Sequence, residues 1–264
     1  MKHECNANHG SIQLAASARI QAIDRRAFLR LGGLAGIAGL CWTLTPAHLA
    51  LAATTPVYCN PNRPTTPADA LAALAAGNDL WATGQQQHPG EDSTRRSCVD
   101  QYGQTPFAAI LSCSDSRVPP ELIFDQGLGD LFVVRVAGNS DTLVGVQSLA
   151  YGVNHLGALA LLVLGHQKCG AVKAAVESYP RPAPVFVSII YPAVRKARII
   201  VRQSGGNPND PNQVLPVAIN QHALLTAARL SSKQPFRNLV KQGALAIAAG
   251  VYSLDTQAVT MLTP

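Results

Sequence analysis

Three short, predominantly apolar segments constrain the fold of this sequence more than any other feature. They cover residues 107–111, 131–136 and 159–164, and the third runs without the apolar–polar alternation of a strand that has one face in water. Segments with helical spacing of apolar residues separate them, as in a parallel sheet covered by helices. The sequence therefore predicts an α/β fold with a central, mostly parallel β-sheet flanked by helices.

Further segments continue this alternation. A Thr66-Pro67 pair predicts the start of a helix that ends near Gly77 or slightly beyond, and residues 84–106, rich in Gly, Gln, Ser and charged side chains, predict a loop. The other predicted helices cover residues 120–124, 142–155, a segment opening at 170, 185–202 and 217–230. A loop at 205–211 and two strand candidates at 244–254 and 258–262 complete the chain.

The first 52 residues carry the pattern of an export signal. A twin-arginine block at residues 24–29 precedes an apolar run at 31–44, and a following A-x-A site predicts cleavage near Ala53. A membrane-spanning helix is the main alternative, but Pro46 interrupts a run that would need roughly 20 apolar residues. We therefore expect a periplasmic or otherwise exported protein that is not stably inserted in the membrane after the signal is removed.

Charge and composition change after this predicted signal. Residues 1–52 contribute half of the formal net charge of +6, and the rest of the chain lacks a basic stripe with interleaved aromatic side chains. The sequence therefore does not predict nucleic-acid binding. Residues 53–67 are rich in Pro, Thr and Asn and predict an extended arm, and residues 68–264 form one predicted globular domain.

Cysteine usage divides in the same way. Two of the six cysteines lie in the predicted signal, so Cys59, Cys98, Cys113 and Cys169 remain in the exported protein. Four thiols in an oxidising compartment require an explanation. Either two disulfides form, or a metal site accompanies one disulfide.

Two of these cysteines and a histidine follow predicted strands. Cys113 comes directly after the first apolar segment, and His166 and Cys169 follow the third. Because open α/β sheets bind ligands at the carboxyl ends of their strands, the three side chains are expected to meet. A Cys–His–Cys set is a known ligand group for catalytic zinc, and its soft thiolates disfavour magnesium and calcium. Taken alone, each residue could instead be a buried cysteine or a chance H-x-x-C.

Three strings extend this pattern into a resemblance. They are C-S-D-S-R at 113–117, G-D-L-F-V-V-R at 129–135 and G-H-Q-K-C-G at 165–170. Together they resemble the β-class carbonic anhydrases, and the resemblance covers about residues 68–262. It implies reversible hydration of carbon dioxide to bicarbonate and a proton, with one Zn²⁺ per subunit held by Cys113, His166 and Cys169. Residues 68–264 would then be the catalytic domain.

The resemblance also implies that Asp115 and Arg117 form a catalytic dyad. Zinc lowers the pKa of bound water, but two thiolate ligands weaken that effect, so a carboxylate that accepts a hydrogen bond from the water is useful. Arg117 can hold Asp115 in a bidentate orientation and keep it off the metal. If Arg117 released it, Asp115 would become the fourth ligand. An ion pair in a surface turn is the alternative.

Further residues match the substrate pocket of the family. Gln104 matches a glutamine that reaches the substrate across the dimer interface, and Phe132 and Tyr151 match aromatic residues that line the pocket. Gly170 matches a glycine whose backbone N–H faces the substrate. The resemblance therefore implies a homodimer or a higher homo-oligomer that binds carbon dioxide or bicarbonate.

Several assignments stay open. Three further histidines, His88, His155 and His222, could shuttle protons by residue type, but exposed positions without a function are expected. Cys59 and Cys98 are a possible disulfide that would form after export, once the metal is bound. Hydrolysis of carbon disulfide or carbonyl sulfide at the same zinc, or a non-catalytic zinc-binding role, are the alternative functions.

Overall fold

The computed structural model describes residues 57–263, and the predicted export signal lies outside them. The helices of this part are α1 Pro67–Ala82, α2 Ser93–Tyr102, α3 Pro120–Ile123, α4 Leu143–Asn154, α5 Gly170–Ser178, α6 Val185–Ser188, α7 Tyr191–Gln203, α8 Pro211–Ser232 and α9 Phe236–Lys241. The strands are β1 Ala108–Ser112, β2 Leu131–Arg135, β3 Ala160–His166, β4 Ala246–Tyr252 and β5 Val259–Leu262.

The strands form one sheet in the order β2-β1-β3-β4-β5. The first four are parallel, and β5 pairs with β4 in the antiparallel direction. Helix α4 packs against β1 and β2, while α8 packs against β3 and β4. The predicted α/β fold with a mostly parallel sheet is therefore confirmed.

The centre of the sheet forms the core. Every residue of β1 and β3 is buried, which explains why their sequences lack alternation. Full burial of a side chain such as Ile110 or Leu162 stabilises the fold by about 1.5–3 kcal/mol. These two strands therefore provide the rigid base from which the loops at the carboxyl edge extend.

Local sequence sets the ends of the helices that flank this base. The Thr66 hydroxyl oxygen accepts a hydrogen bond from the Asp69 N–H at the start of α1, and Pro67 follows in the first turn. The Thr142 hydroxyl accepts from the Gly145 N–H at the start of α4 in the same way. Both helix starts agree with the sequence pattern.

The predicted loop over 84–106 is wrong in part, because α2 lies within it. This helix lacks an apolar stripe, so its sequence carries no helical periodicity. Its start is fixed by Asp92, whose carboxylate accepts a hydrogen bond from the Arg95 N–H at 2.9 Å. The buried Arg95 side chain then binds Asp130 at 3.0 Å, so long-range polar contacts replace apolar packing.

The predicted helix over 185–202 is two helices, α6 and α7. Pro192 lacks an N–H and therefore cannot donate to the carbonyl of Ser188, which interrupts a continuous helix at this point. Helix α8 begins at Pro211, six residues earlier than predicted, because Asp210 caps it and the buried stripe already starts at Val214. Helix α9 was not predicted from the sequence.

The predicted arm lies along the amino edge of the sheet in its described part. Arg63 donates hydrogen bonds to the carbonyl oxygens of Thr105 at 2.9 Å, Pro106 at 3.1 Å and Gly157 at 2.9 Å. Asn60 donates to the Asp130 carboxylate at 3.0 Å. The arm is therefore held by polar contacts rather than by core packing.

A disulfide between Cys59 and Cys98 joins this arm to α2. Cys113 and Cys169 are free and buried. The four cysteines of the described residues thus divide into one bridge and one pair of free thiols. Within residues 57–263, no helix is both long and apolar enough to cross a membrane.

We expect two reactive thiols per chain when the mature protein is denatured without reductant in the presence of a zinc chelator, and four would exclude the bridge. Replacing both Cys59 and Cys98 by Ser should lower the free energy of unfolding by about 3–4 kcal/mol, because the bridge spans 39 residues. Urea titration measures this change. An unchanged zinc content of the double variant is the control that separates the bridge from the metal centre.

Candidate metal centre

The parallel pairing of β1 and β3 places the three predicted ligands at one edge of the sheet. Ser112, the last residue of β1, lies opposite Leu164 of β3. Cys113 directly follows β1, and His166 is the last residue of β3. Cys169 stands at the amino end of α5, three residues further on. The three side chains therefore come from adjacent chain segments.

Their ligand atoms form a compact buried cluster. The two Sγ atoms and a ring nitrogen of His166 all lie within 4.8 Å of one another. The two Sγ atoms are 4.0 Å apart, close to the roughly 3.8 Å that a tetrahedral zinc with Zn–S bonds of about 2.3 Å would require. The cluster geometry fits a tetrahedral cation.

The hydrogen bonding of His166 supports this fit. Its Nδ1 lies 2.9 Å from the carbonyl oxygen of Gln167, which can only accept, so Nδ1 carries the proton. The remaining Nε2 is buried and has no hydrogen-bond partner among the described residues. A buried nitrogen lone pair beside two sulfurs is the donor arrangement that zinc prefers.

The two thiols have opposite acid strengths in the absence of a cation. The Cys169 thiol donates to Cys113 and lowers its pKa, and the Gly138 N–H adds to this effect. The same hydrogen bond to Cys113, together with burial, raises the pKa of Cys169. Two adjacent thiolates therefore form only when a bound positive charge compensates them.

Asp115 and Arg117 lie beside this cluster and bind each other. The Arg117 side chain donates from Nε to Oδ1 at 2.9 Å and from Nη2 to Oδ2 at 2.7 Å. These bonds hold the pKa of Asp115 well below its usual range. Asp115 Oδ2 also lies 3.9 Å from His166 Nε2. The carboxylate is thus ionised, adjacent to the cluster, and turned toward the guanidinium.

Arg135 is a residue at this edge to which the sequence assigned no role. As the last residue of β2, it lies opposite Ser112 and donates from Nε to the carbonyl oxygen of Cys113 at 3.0 Å. Its Nη2 donates to the carbonyl oxygen of Asp115. It therefore fixes the backbone of the Cys113–Asp115 turn. The signal that could have revealed it is a charged residue ending an otherwise apolar strand.

The loop between His166 and Cys169 is held by residues at the end of β4 and in the turn that follows it. The Gln167 N–H donates to the carbonyl oxygen of Tyr252 at 2.9 Å, and Lys168 forms an ion pair with Asp255 at 2.8 Å. Lys168 adopts a φ of 55°, which is uncommon for a residue other than glycine. The turn after β4 thus helps to set the spacing of the two ligands.

The structure does not bring Gln104 to the cluster of its own chain. Gln104 precedes the amino end of β1, whereas Cys113 follows its carboxyl end, and the strand between them spans about 16 Å. Gln104 instead lines a separate cavity of about 820 Å³ together with Arg63 and His155. If it acts on substrate, it does so at the site of another subunit.

Two predicted pocket residues, Phe132 and Tyr151, lie together. Their ring centroids are 6.1 Å apart, and the Tyr151 ring is 5.3 Å from that of His155, which lines the same cavity as Gln104. Gly170 directly follows Cys169, and a Cβ atom added to it would meet no atom within 4 Å. Of the four predicted pocket residues, only Gly170 is next to a ligand of the cluster in sequence.

The expectation that His222 is exposed is wrong, since only 1% of it is accessible to solvent. Its Nε2 lies 2.7 Å from the carbonyl oxygen of Gly138 and 3.2 Å from the Ser140 hydroxyl. Burial lowers the pKa of His222 to about 4. His88 and His155 are exposed, as expected.

Comparison with protein-family models identifies the chain. The model described as "Carbonic anhydrase" matches residues 108–259, more than half of the sequence, and contains the whole cluster. The chain belongs to the β-carbonic anhydrase family. It is therefore an enzyme, a carbonate dehydratase, and the resemblance drawn from its motifs is confirmed at the level of the family.

Relatives of this carbonic anhydrase agree with the assignment. Carbonic anhydrase 2 of Mycobacterium tuberculosis is 35% identical over 195 residues, which cover 72% of this chain and 90% of the relative. The β-carbonic anhydrase of Coccomyxa, solved in complex with acetazolamide, is 28% identical with a TM-score of 0.55, covering 73% of this chain and 86% of that one.

A third comparison bears on the fold alone. The tetrameric β-carbonic anhydrases of Sordaria macrospora are represented by a structure with 20% identity and a TM-score of 0.56. The match covers 74% of this chain and 98% of that one. The catalytic fold of this carbonic anhydrase is thus present almost completely in the described residues.

The buried neutral His222 should make the stability of this carbonic anhydrase sensitive to acid. Its pKa is about 4 in the folded chain, against about 6.5 when unfolded. The unfolded state therefore binds more protons below pH 6.5, and this residue removes about 2 kcal/mol of stability between pH 7.5 and 5. Between pH 7.5 and 5, the free energy of unfolding of His222→Gln should therefore fall by about 2 kcal/mol less than that of the wild type. Urea titration at each pH measures this difference.

The matched control is His155→Gln, which replaces an exposed histidine. It should keep the pH dependence of the wild type. Identical pH profiles for His222→Gln and the wild type would contradict the assignment of a neutral buried ring.

Proposed function

We propose that this carbonic anhydrase hydrates carbon dioxide with one Zn²⁺ per subunit, held by Cys113, His166 and Cys169. The observation that carries this proposal is the buried Nε2 of His166, which has no partner among the described residues and lies within 4.8 Å of both sulfur atoms. Two thiols whose simultaneous ionisation needs a compensating charge support it. When bound there, zinc supplies the Lewis acidity that makes water a nucleophile near neutral pH.

In this proposal Asp115 and Arg117 orient the water. The Asp115 carboxylate is ionised and accepts two side-chain hydrogen bonds from Arg117, which leaves lone pairs of its oxygens for a water molecule. Because the guanidinium grips it bidentately, the carboxylate keeps one orientation. Its Oδ2 lies 3.9 Å from His166 Nε2, so the carboxylate would be close enough to a metal held by these residues to accept a hydrogen bond from its bound water.

The rest of the pocket would come from residues that match the family. The backbone at Gly170 faces open space beside Cys169, which leaves room for a small substrate. Gln104, Phe132 and Tyr151 would complete the site of the neighbouring subunit. No contact among residues 57–263 favours the two alternatives, hydrolysis of carbon disulfide or carbonyl sulfide and non-catalytic zinc binding.

We further propose that the enzyme is at least a homodimer. In support, Leu143 and Val144 at the start of α4 are 76% and 70% exposed, and Tyr151 on the same helix is 49% exposed. A cluster of exposed apolar side chains is typical of a surface that another subunit covers. The relative from Sordaria macrospora is described as tetrameric.

Export through the twin-arginine route is also a proposal, because residues 1–52 lie outside the described part. It is supported by the twin-arginine block and by a chemical argument. Zinc binding in the cytoplasm would protect Cys113 and Cys169 from oxidation, while Cys59 and Cys98 would pair only in the oxidising compartment.

Asp115→Asn should lower kcat/KM for carbon dioxide hydration by about 100-fold or more, because a neutral amide is a weaker acceptor and also a donor. Stopped-flow hydration measures the rate, and the zinc content of the same sample shows whether the site is loaded. Glu177→Gln is the matched control, since this exposed carboxylate also pairs with a cation, that of Lys173, but lies outside the ligand loop. It should leave the rate near that of the wild type.

Two outcomes would contradict the proposal. Full activity of Asp115→Asn would remove the dyad from the mechanism. A zinc-loaded wild type without hydration activity would favour the non-catalytic alternative.

Mixed dimers test whether Gln104 acts across subunits. An Asp115→Asn chain and a Gln104→Ala chain should each be impaired alone. Their heterodimer should regain about half of the wild-type rate, because one of the two symmetric sites then combines an intact Asp115 with Gln104 of the partner subunit. Differently tagged chains, purified by both tags, allow this measurement. A heterodimer no more active than the mean of the two variants would show that Gln104 acts within its own chain or not at all.

A further inference from the structure

Residues 136–140, here named the Gly138 loop, connect the metal cluster to helix α8. The loop continues β2 alongside β1, since the Val136 N–H donates to the carbonyl oxygen of Ser112 at 3.0 Å. The Gly138 N–H then points at the cluster and donates to Cys113 Sγ at 3.3 Å. A hydrogen bond from outside the ligand set orients a metal ligand, and its loss typically weakens metal binding. The geometry of this loop therefore affects the strength of one ligand.

Gly138 cannot hold that geometry by its own conformational preference. Its φ is +74°, in the left-handed region, and a Cβ atom there would lie 3.0 Å from Ile190 and 3.1 Å from Ala171. Glycine is thus required at this position, yet it is the residue with the greatest backbone freedom. The Asn139 N–H donates to the carbonyl oxygen of Val136 within the loop, and a contact from outside the loop would further restrict its conformation.

His222 supplies that contact from α8. Its Nε2 lies 2.7 Å from the Gly138 carbonyl oxygen, and this oxygen can only accept, so Nε2 carries the proton. The Ser140 hydroxyl, also in the loop, lies 3.2 Å from the same nitrogen. The ring itself is 1% exposed on a helix that packs against β3 and β4. It therefore connects the loop to the rigid part of the fold.

We propose that His222 is a positioning residue that holds the Gly138 loop so that the Gly138 N–H stays bonded to Cys113. This inference rests on the proposed zinc site. His222 does not touch the metal ligands in the described contacts, and acts through the backbone of Gly138. Its loss would free the carbonyl oxygen, loosen the loop and weaken the hydrogen bond to the sulfur. The affinity for the metal and the electronic character of the Cys113 sulfur would both change.

Two amide variants of His222 distinguish a role in positioning Gly138 from a general requirement for a polar side chain. In His222→Gln, the side-chain amide nitrogen can occupy the place of Nε2 and donate to Gly138. In His222→Asn, the same amide is one methylene shorter and falls short of the carbonyl oxygen. His222→Leu removes the donor altogether. Val214→Ala is the stability control, because Val214 is buried on α8 but lies two helical turns before His222.

Two readouts on the full mature protein test the proposal. Competition with a chromophoric chelator gives the zinc affinity, and the sulfur-to-cobalt charge-transfer band of the Co²⁺-substituted protein reports the character of the thiolates. His222→Asn and His222→Leu should bind zinc about 10–100-fold more weakly and shift the band, while His222→Gln should stay within about threefold of the wild type. Val214→Ala should lose stability to urea but keep the band.

The outcomes are distinct. A His222→Asn protein with the affinity and band of the wild type would overturn the positioning role. So would a Val214→Ala protein that loses as much affinity as His222→Asn, since the effect would then follow stability alone. A wild type without any thiolate band would instead overturn the proposed zinc site on which this inference depends.

Discussion

The parallel pairing of β1 with β3 is the interaction on which the rest of the catalytic edge depends. Because Ser112 lies opposite Leu164, Cys113 and His166 leave their strands at nearly the same level of the sheet. A slip of one residue would turn every side chain of one strand to the other face and separate the sulfur from the ring. The completely buried sequences of both strands disfavour such a slip, so core packing fixes the distance between ligands that are 53 positions apart in the chain.

A buried site with two thiols must accommodate the negative charge of its thiolates in surroundings that oppose ionisation. Burial opposes ionisation of two thiols, and the hydrogen bond to Cys113 together with burial raises the pKa of Cys169. The protein contributes partial compensation through backbone N–H groups, that of Gly138 beside Cys113 and those of Val172 and Ala171 beside Cys169. In the proposed zinc site a divalent cation would supply the remainder, so that binding of the metal and loss of the Cys169 proton would be coupled.

Whether a feature of the fold or of the candidate site could be predicted from the sequence depends on how far apart in the chain its interacting residues lie. The apolar segments and the spacing of Cys113, His166 and Cys169 predicted the sheet and the ligand cluster, because strand order and ligand chemistry leave local traces. Helix α2 and His222 left no such trace, and Arg135 left only a charge at the end of an apolar strand. Each is defined by a polar contact to a distant segment, such as His222 to Gly138 across 84 positions. His222 is buried, although the sequence predicted an exposed histidine. The position of Gln104 can be interpreted only when a second subunit is considered.

The Asp115–Arg117 pair also limits the chemistry that Asp115 can perform. The two hydrogen bonds from Arg117 that lower the pKa of this carboxylate also make it a weak base near neutral pH, so it does not store a proton. Its value lies in accepting a hydrogen bond in a fixed direction. In the proposed zinc site, the same contact would keep the carboxylate from binding the metal, since leaving Arg117 would break both charge-assisted hydrogen bonds. One bidentate contact would then both orient the water and keep Asp115 off the metal.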